Sequence, residues 1–570
     1  MPEETMESVG TADLIAAVYA AAERYPKHPA ITAPGKVRRI KRRGVDSVKP
    51  GQTISYRELV DGIEATARSL HRDGFGLGER MLFSVRPSPA AFILALGAVR
   101  AGGSVVFIDP GIGPSLFQDR AALASPRWAA SESLLYALST KSPLRPIARN
   151  KGLLLPDYGA MDVHHYYSGP WLPGVPRGAS PVRTLVTKSG NANNASDWEG
   201  ASSQEAVIIF TSGTTGAPKG VVHTRGSLAA GFEQLTTRCT FREGDRVHSE
   251  QLMMGLPALI AGAHWTMPAY GFSAHIDPLR LAGELGPVAG KKTAYDGATH
   301  LFLVPSQLAP ILDSIEAGTV RLPSSLRTVM LGAAPILAPF LKRATRLLPG
   351  IDFKLIYGMT EALPVSIADG HEKLAFASGA EAEIKAPDGS GEGDFLGEPL
   401  PAVGIRVGED HELFVHGPNV CRGYLGEDPM AEHATGDLVR LDHGSGGAPR
   451  LVMIGRKKDM IIRGKTNIYP ALYEPVIAGI HGVQQAVMVG VRDELGDEAV
   501  WLAIVVSVGE SAASVKSRIA RELPKLIDES ALPDHIEVLE SIPAGGRHRK
   551  PDRAALRQEF GSRSQGMAAR

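Results

Sequence analysis

The sequence predicts an α/β protein. A large N-terminal domain over 1–455 is expected to carry mixed and parallel sheets flanked by helices, plus a β-rich subdomain, and a small α/β domain over 456–570 is expected to follow on a hinge. Three observations carry this. Between 53 and 108, apolar runs of strand length alternate with helical periodicity, the order of a βαβ unit on a parallel sheet. From Glu412 to Asp459, short β-branched and aromatic runs follow one another between glycine turns, as an all-β stretch. The roughly 110 residues that remain return to alternating helix and strand, enough for a domain of their own.

Composition bounds the function. With 570 residues, 44% of them hydrophobic, the chain can bury several cores, and its length corresponds to about three to five domain-sized units. Lys+Arg and Asp+Glu both number 61, so the basic excess that favours nucleic acid or an anionic membrane is missing. The two cysteines, Cys239 and Cys421, lie far apart and outside any zinc spacing, which argues against a disulfide framework and fits a reducing cytoplasm. Glu3, Glu4 and Glu7 stand where an export signal needs basic residues followed by an apolar core. Residues 251–276 contain no Asp, Glu, Lys or Arg and could span a bilayer by length. Pro257 and Pro268 would disturb such a helix, and Gly255, Gly262, His264 and His275 make it too polar, so a buried helix and strand beside an apolar pocket is expected.

In order, Leu14, Ile15, Val18 and Tyr19 recur at helical spacing and predict an amphipathic helix over 12–24. Residues 34–52 hold seven Lys/Arg, including Arg38, Arg39, Lys41, Arg42 and Arg43, and read as a solvated basic hairpin. A strand start and helix fill 53–72, with strands at 81–85 and 104–108 around a helix at 90–101. Gly74, Gly76 and Gly78 follow a helix and precede a strand, the reverse of a dinucleotide loop, so they read as a helix end and turn. Residues 167–200, rich in Gly, Pro, Ser and Asn, read as a surface connection. Buried strands are expected at 299–305, 328–331 and 354–357, the second ending at Gly332-Ala333-Ala334-Pro335, where small side chains let a flat ring approach the backbone.

The stretch that carries chemistry is 207–224, VIIFTSGTTGAPKGVVHT. Between two apolar strand-like runs, Thr211, Ser212, Thr214 and Thr215 present hydroxyls, while Gly213 and Gly216 let backbone N–H groups turn inward around an anion. Lys219 adds a mobile positive charge. A plain hairpin turn would need two residues, not this set. The P-loop pattern G-x-x-x-x-G-K-[ST] is absent, and no helix pattern begins at Lys219.

This stretch resembles the phosphate loop of the adenylate-forming enzymes: acyl-CoA synthetases, luciferases and peptide-synthetase adenylation domains. The resemblance continues in the family's order over nearly the full chain, through Tyr357-Gly358-Met359-Thr360-Glu361, Thr435-Gly436-Asp437 and Gly455-Arg456. It implies a carboxylate attacking the α-phosphate of ATP, with Thr211, Ser212, Thr214, Thr215 and Lys219 on the outer phosphates and Glu361 on Mg²⁺. It also implies Tyr357 against adenine opposite 332–335, Asp437 on the ribose hydroxyls with Arg456 beside it, and Lys458 at the hinge. A catalytic lysine is implied at Lys550, although the family's Gly-Lys-Ile context is replaced by Arg549 before it and Pro551 after it. Taken singly, Glu361 would read as a helix N-terminal carboxylate, Tyr357 as a core aromatic, and Lys457 and Lys458 as solvated charges.

Val85-Arg86-Pro87-Ser88-Pro89, Asp109-Pro110-Gly111-Ile112-Gly113 and the Leu363-Pro364 extension are similar to the β-lactone synthetases of bacterial olefin biosynthesis, as is the Arg-His pair before Lys550. The implied substrate is a long-chain 2-alkyl-3-hydroxy acid, with enzymes of a lipid pathway as candidate partners; Met253, Met254 and Leu256 offer an adaptable apolar lining for its acyl chain, and a plain core reading of them is equally good. The run 458–470, with Gly464, looks instead like an acyl-CoA synthetase hinge, which keeps a CoA thioester open as the product. A nucleotide-binding module without catalysis is a third reading, and the complete set of motifs speaks against it.

Overall fold

The computed structural model describes residues 13–33, 36–39, 46–49, 51–110, 114–140, 144–146, 155–187, 201–211, 218–269, 277–285, 297–378, 393–443, 447–463, 466–492, 498–527, 531–545 and 550–568. The chain forms two compact units. The first is Met1–Met330 with Gly358–Pro364 and His416–Glu432; the second is Leu331–Tyr357 with Val365–Val415 and His433–Arg570.

In the first unit, strands Glu205–Thr211, Ser104–Phe107, Arg80–Ser84, Trp128–Glu132, His164–Ser168 and Ser180–Pro181 lie side by side in that order, all parallel. Lys219–Thr224 joins antiparallel beyond Glu205–Thr211, and Gly423–Tyr424 antiparallel beyond that. Alternation explains why both faces are dry: Met81, Phe83 and Val105 enter one core, and Leu82, Val106 and Ile208 the other. The covering helices start where the sequence supplies caps. Ser55 and Glu58 close a reciprocal capping box on Tyr56–Arg72, and the Ser88 hydroxyl accepts from the Ala91 N–H at the start of Pro89–Arg100. A Cβ on Gly97 would stand 2.6 Å from the Thr66 methyl, so glycine is what lets these two helices cross closely.

A second parallel run in this unit, His300–Leu303, Arg246–His248, His264–Thr266 and Pro29–Thr32, has Thr53–Ser55 antiparallel on its edge. The expected buried helix and strand within 251–276 are Leu252–Ile260 and His264–Thr266. Gly255 presses on Trp265, leaving no room for a side chain. Residues 270–276 lie outside the described set, and no helix among the described residues is long and apolar enough to cross a membrane. The basic stretch pairs as Lys36–Arg39 with Asp46–Lys49; residues 40–45 lie outside the description.

In the second unit, a five-stranded sheet runs Asp394–Gly397, Pro449–Arg456, His433–His443, Glu412–His416, Gly404–Val407. Val483–Arg492 pairs antiparallel with Glu498–Val506, which pairs parallel with His535–Val538. Helices Pro470–Ala478, Ala512–Glu522 and Arg553–Ala568 accompany them. Leu438 and Ile454 of the five-stranded sheet share one core with Ile461, Ile477 and Leu502.

Some expectations are corrected. Residues 167–200 are not simply a connection: Tyr167 belongs to strand His164–Ser168, Tyr166 pairs with Ser180, and helix Val182–Thr187 buries Val182 and Leu185. Those two apolar residues lie three positions apart, one helical turn, a pattern too short to show against the surrounding Gly and Pro. The strand expected at 299–305 is His300–Leu303, because Pro305 opens a helix, a position where its missing N–H costs nothing. The β-rich stretch begins at Asp394 rather than Glu412.

Candidate active site

The first unit assembles one group of the candidate side chains. Thr211 and Lys219 are cross-strand partners, so the backbone brings the two ends of the hydroxyl-rich loop together. Ser212, Gly213, Thr214, Thr215 and Gly216 themselves lie outside the described residues, as does the Thr211 side chain. Thr360 and Glu361 alone join strands Asp352–Met359 and Ala362–Asp369. Glu361 is therefore in a tight turn between strands, and the helix N-terminal reading of it is overturned. Gly358 is required just before: a Cβ there would lie 2.9 Å from the Ala362 carbonyl oxygen.

That turn is held from three directions. The Cys421 N–H donates to the Glu361 carbonyl at 2.7 Å, and the Tyr424 hydroxyl donates to Glu361 Oε1 at 3.0 Å. His223 Nε2 lies 2.6 Å from the Thr360 carbonyl; since a carbonyl only accepts, Nε2 carries the proton. Burial pushes the His223 pKa down, with the Thr360 carbonyl and the Glu361 charge opposing, which keeps the ring neutral. Lys219 Nζ sits 4.7 Å from the centre of the Tyr424 ring. Burial and the Glu361 charge push the Cys421 thiol up to about 12, so it is a packed thiol and no nucleophile.

The second unit assembles the other group. Asp437 and Arg456 are cross-strand partners, and Arg456 Nε reaches Asp437 Oδ1 at 2.9 Å. The Tyr357 hydroxyl donates to Asp437 Oδ2 at 2.8 Å, so both carboxylate oxygens are engaged and the Tyr357 ring is fixed against the sheet. Burial and the Asp437 charge hold the Tyr357 hydroxyl well above its ordinary range, protonated at all working pH. Strand Thr328–Gly332 ends at Gly332, and Ala333 takes a left-handed φ of +63°, turning the chain sharply before the half-buried Ala334 and the exposed Pro335.

Lys550 carries an exposed side chain in a short two-residue strand. Crowding by surrounding protein atoms and the Arg456 and Lys458 cations lower its pKa, while Asp437 opposes them, which places this amine in the field of the Asp437–Arg456 pair. Lys458 is exposed in a turn and its carbonyl accepts from Arg557 at 3.2 Å. Lys457 is no free charge: its Nζ reaches Asp410 Oδ2 and Glu412 Oε2, each at 2.7 Å. The neighbouring 546–549, with Arg547, His548 and Arg549, and Gly464 lie outside the described residues. Met254 and Leu256 are buried core residues, while Met253 is half-buried.

The structure thus brings together Lys219, Thr360 and Glu361 in one unit, and Tyr357, Asp437, Arg456, Lys458 and Lys550 in the other. His223 and Tyr424 escaped sequence reasoning. His223 had a signal, because it lies four residues after Lys219 in a strand and so on the same face.

Residues 18–425 match the AMP-binding enzyme family. The chain is 28% identical to a feruloyl-CoA synthase from an Amycolatopsis species over 379 residues, covering 62% of this chain and 70% of that one. It is 27% identical to an olefin beta-lactone synthetase from Stenotrophomonas maltophilia over 544 residues, covering 87% of this chain and 89% of that one. Among solved structures, an amide bond synthetase from Marinactinospora thermotolerans superposes with a TM-score of 0.72 at 20% identity over 96% of this chain and 99% of that one. These solved relatives share the fold.

Proposed function

We propose, for a chain that belongs to the AMP-binding enzyme family and is an adenylate-forming ligase, that it activates a long-chain 2-alkyl-3-hydroxy acid and closes it to a β-lactone. A carboxylate oxygen attacks the α-phosphorus of ATP, the bond to the β-phosphate breaks, and pyrophosphate leaves. The substrate's 3-hydroxyl oxygen then attacks the acyl carbonyl carbon, loses its proton to solvent, and AMP departs.

In this reading Lys219, with the loop from Thr211 to Gly216, holds the outer phosphates. Glu361 offers carboxylate oxygen to Mg²⁺. Among the described residues no group of three or more His, Cys, Asp or Glu could hold a metal, and a single carboxylate fits an ion that completes its shell with phosphate and water. The ion would supply charge neutralisation of the triphosphate. Asp437 and Arg456 take the ribose, Tyr357 with Gly332, Ala333, Ala334 and Pro335 the adenine, and Lys550 the acyl carboxylate and α-phosphate. The 456–570 segment turns about Lys458 between the two steps, and Met253, Met254 and Leu256 line the acyl chain's path.

The observation that carries adenylation is the Asp437 carboxylate, buried and held by both the Tyr357 hydroxyl and Arg456. What supports lactone formation is the reach of the beta-lactone synthetase likeness, 87% of the chain against 62% for the feruloyl-CoA synthase. A CoA thioester is the second reading, favoured by the run 458–470 and by relatives such as a 2-succinylbenzoate--CoA ligase from Bacillus cereus, 28% identical over 67% of this chain and 75% of that one. The test incubates enzyme, ATP, Mg²⁺ and a long-chain 2-alkyl-3-hydroxy acid with and without CoA, then identifies the acyl product by NMR. A β-lactone formed without CoA supports the proposal; a thioester formed only with CoA, and no lactone, overturns it.

A further inference from the structure

Tyr424 has no role in the reading above, yet it touches both of the charged residues assigned there to the triphosphate end. Strand pairing explains how. Tyr424 is the cross-strand partner of Val221, so Lys219 and His223, two residues to either side, are its diagonal neighbours. A tyrosine reaches such neighbours across adjacent strands. Gly423, at φ +148°, a backbone region that glycine favours, directs the chain into this pairing.

From this position the ring face lies 4.7 Å from Lys219 Nζ, and the hydroxyl donates to Glu361 Oε1 at 3.0 Å. The lysine and the carboxylate belong to segments that are 142 positions apart in the chain, and one phenol serves both. His223 completes the arrangement from the same strand by holding the Thr360 carbonyl. A phenol that donates to one carboxylate oxygen leaves the other for an incoming cation, and it limits the rotamers in which the carboxylate can wait. A lysine drawn to the ring face is likewise kept from folding onto Glu361 and neutralising it.

We propose that Tyr424 is a positioning residue that holds Glu361 and Lys219 apart and aimed, so that metal and triphosphate enter a prepared site. This rests on the assignment of Glu361 to the metal and Lys219 to the phosphates. Tyr424→Phe keeps the ring beside Lys219 and removes the hydroxyl that donates to Glu361; Tyr424→Leu removes the ring as well.

The test measures Mn²⁺ affinity by EPR in the presence of a non-hydrolysable ATP analogue, and the Mg²⁺ concentration that half-saturates pyrophosphate exchange, with thermal unfolding as a control for folding. Tyr424→Phe is expected to weaken Mn²⁺ and raise the half-saturating Mg²⁺ by about 10-fold, the scale of one hydrogen bond to a charged group, with unfolding unchanged. Tyr424→Leu is expected to weaken the nucleotide analogue as well, and that extra loss should vanish in a Lys219→Met background. Glu361→Gln is measured in parallel. If Glu361→Gln weakens the metal and Tyr424→Phe does not, the positioning role is overturned and the Glu361 assignment stands. If neither moves, both fall.

Discussion

Asp437 is where a single substitution separates structure from chemistry. Its side chain is 5% exposed and accepts from the Tyr357 hydroxyl at 2.8 Å and from Arg456 Nε at 2.9 Å, Arg456 being 44% exposed. In Asp437→Asn the amide keeps the shape: its oxygen can still face Arg456, and its NH₂ can donate to the phenol oxygen, which also accepts. The fold then loses charge assistance at one buried hydrogen bond and an ion pair weakened by the solvent around Arg456, together about 1–2 kcal/mol. The nucleotide loses more. A carboxylate can accept from both ribose hydroxyls, and two charge-assisted hydrogen bonds at roughly 1.5–3 kcal/mol each correspond to about 10²-fold or more in affinity. The assay is ATP and 2′,3′-dideoxy-ATP binding to wild type and Asp437→Asn. Wild type should prefer ATP by about 10²-fold and the variant should scarcely discriminate. Equal discrimination in both proteins would refute the ribose role, whatever the variant's stability.

Other substitutions report on the remaining assignments. Lys550→Ala should lose adenylate formation yet convert a supplied acyl adenylate, seen by comparing pyrophosphate exchange with product formation from the adenylate; undiminished adenylation would place the lysine's function elsewhere. Lys219→Ala and Glu361→Ala should each cut turnover by about 10²-fold or more with unfolding little changed, measured as pyrophosphate release. Glu284 is pushed up from 4.5 to about 7 by burial, with the Ala269 N–H and Arg280 opposing, so its contribution to stability is present below about 4.5 and lost as pH rises through about 7. Glu284→Gln should therefore gain on wild type between pH 5 and 8, by at most about 3 kcal/mol. Because His248 Nε2 lies 4.0 Å from Glu284 Oε2 and titrates in the opposite sense, thermal unfolding at both ends is compared in a His248→Gln background; equal offsets at the two pH values would contradict it.

What was legible in the sequence follows from where the physical signal lies. Met81 to Phe83 and Val105 to Val106 are apolar at every position because both sheet faces are buried, and such runs show in the chain itself. Lys219 stood out by itself, a cation after a hydroxyl- and glycine-rich turn between two apolar runs, whereas Glu361 and Asp437 were marked only by the family resemblance of their motifs. Strand Ser180–Pro181 was not, since two residues have no period and its proline does not suggest a strand. Tyr424 was hidden for a different reason: its strand is two residues long, and its partner Val221 lies 203 positions earlier, so its meaning exists only in the register.

The residues assigned above to ATP should not decide what becomes of the acyl group, because the acyl adenylate is the same intermediate whichever acceptor follows. Weakening Asp437, Lys219 or Glu361 should lower lactone and thioester alike and leave their ratio fixed. The ratio depends on how the chain bends its own hydroxyl toward the carbonyl carbon two atoms away, where a high effective concentration works against the strain of a four-membered ring. In the reading proposed above, Met253, Met254 and Leu256 line the acyl chain's path, so substitutions there should shift the product ratio and spare phosphate chemistry. Rate and product ratio are therefore separate observables. The first reports on the nucleotide residues, and the second on the acyl side of the same reaction.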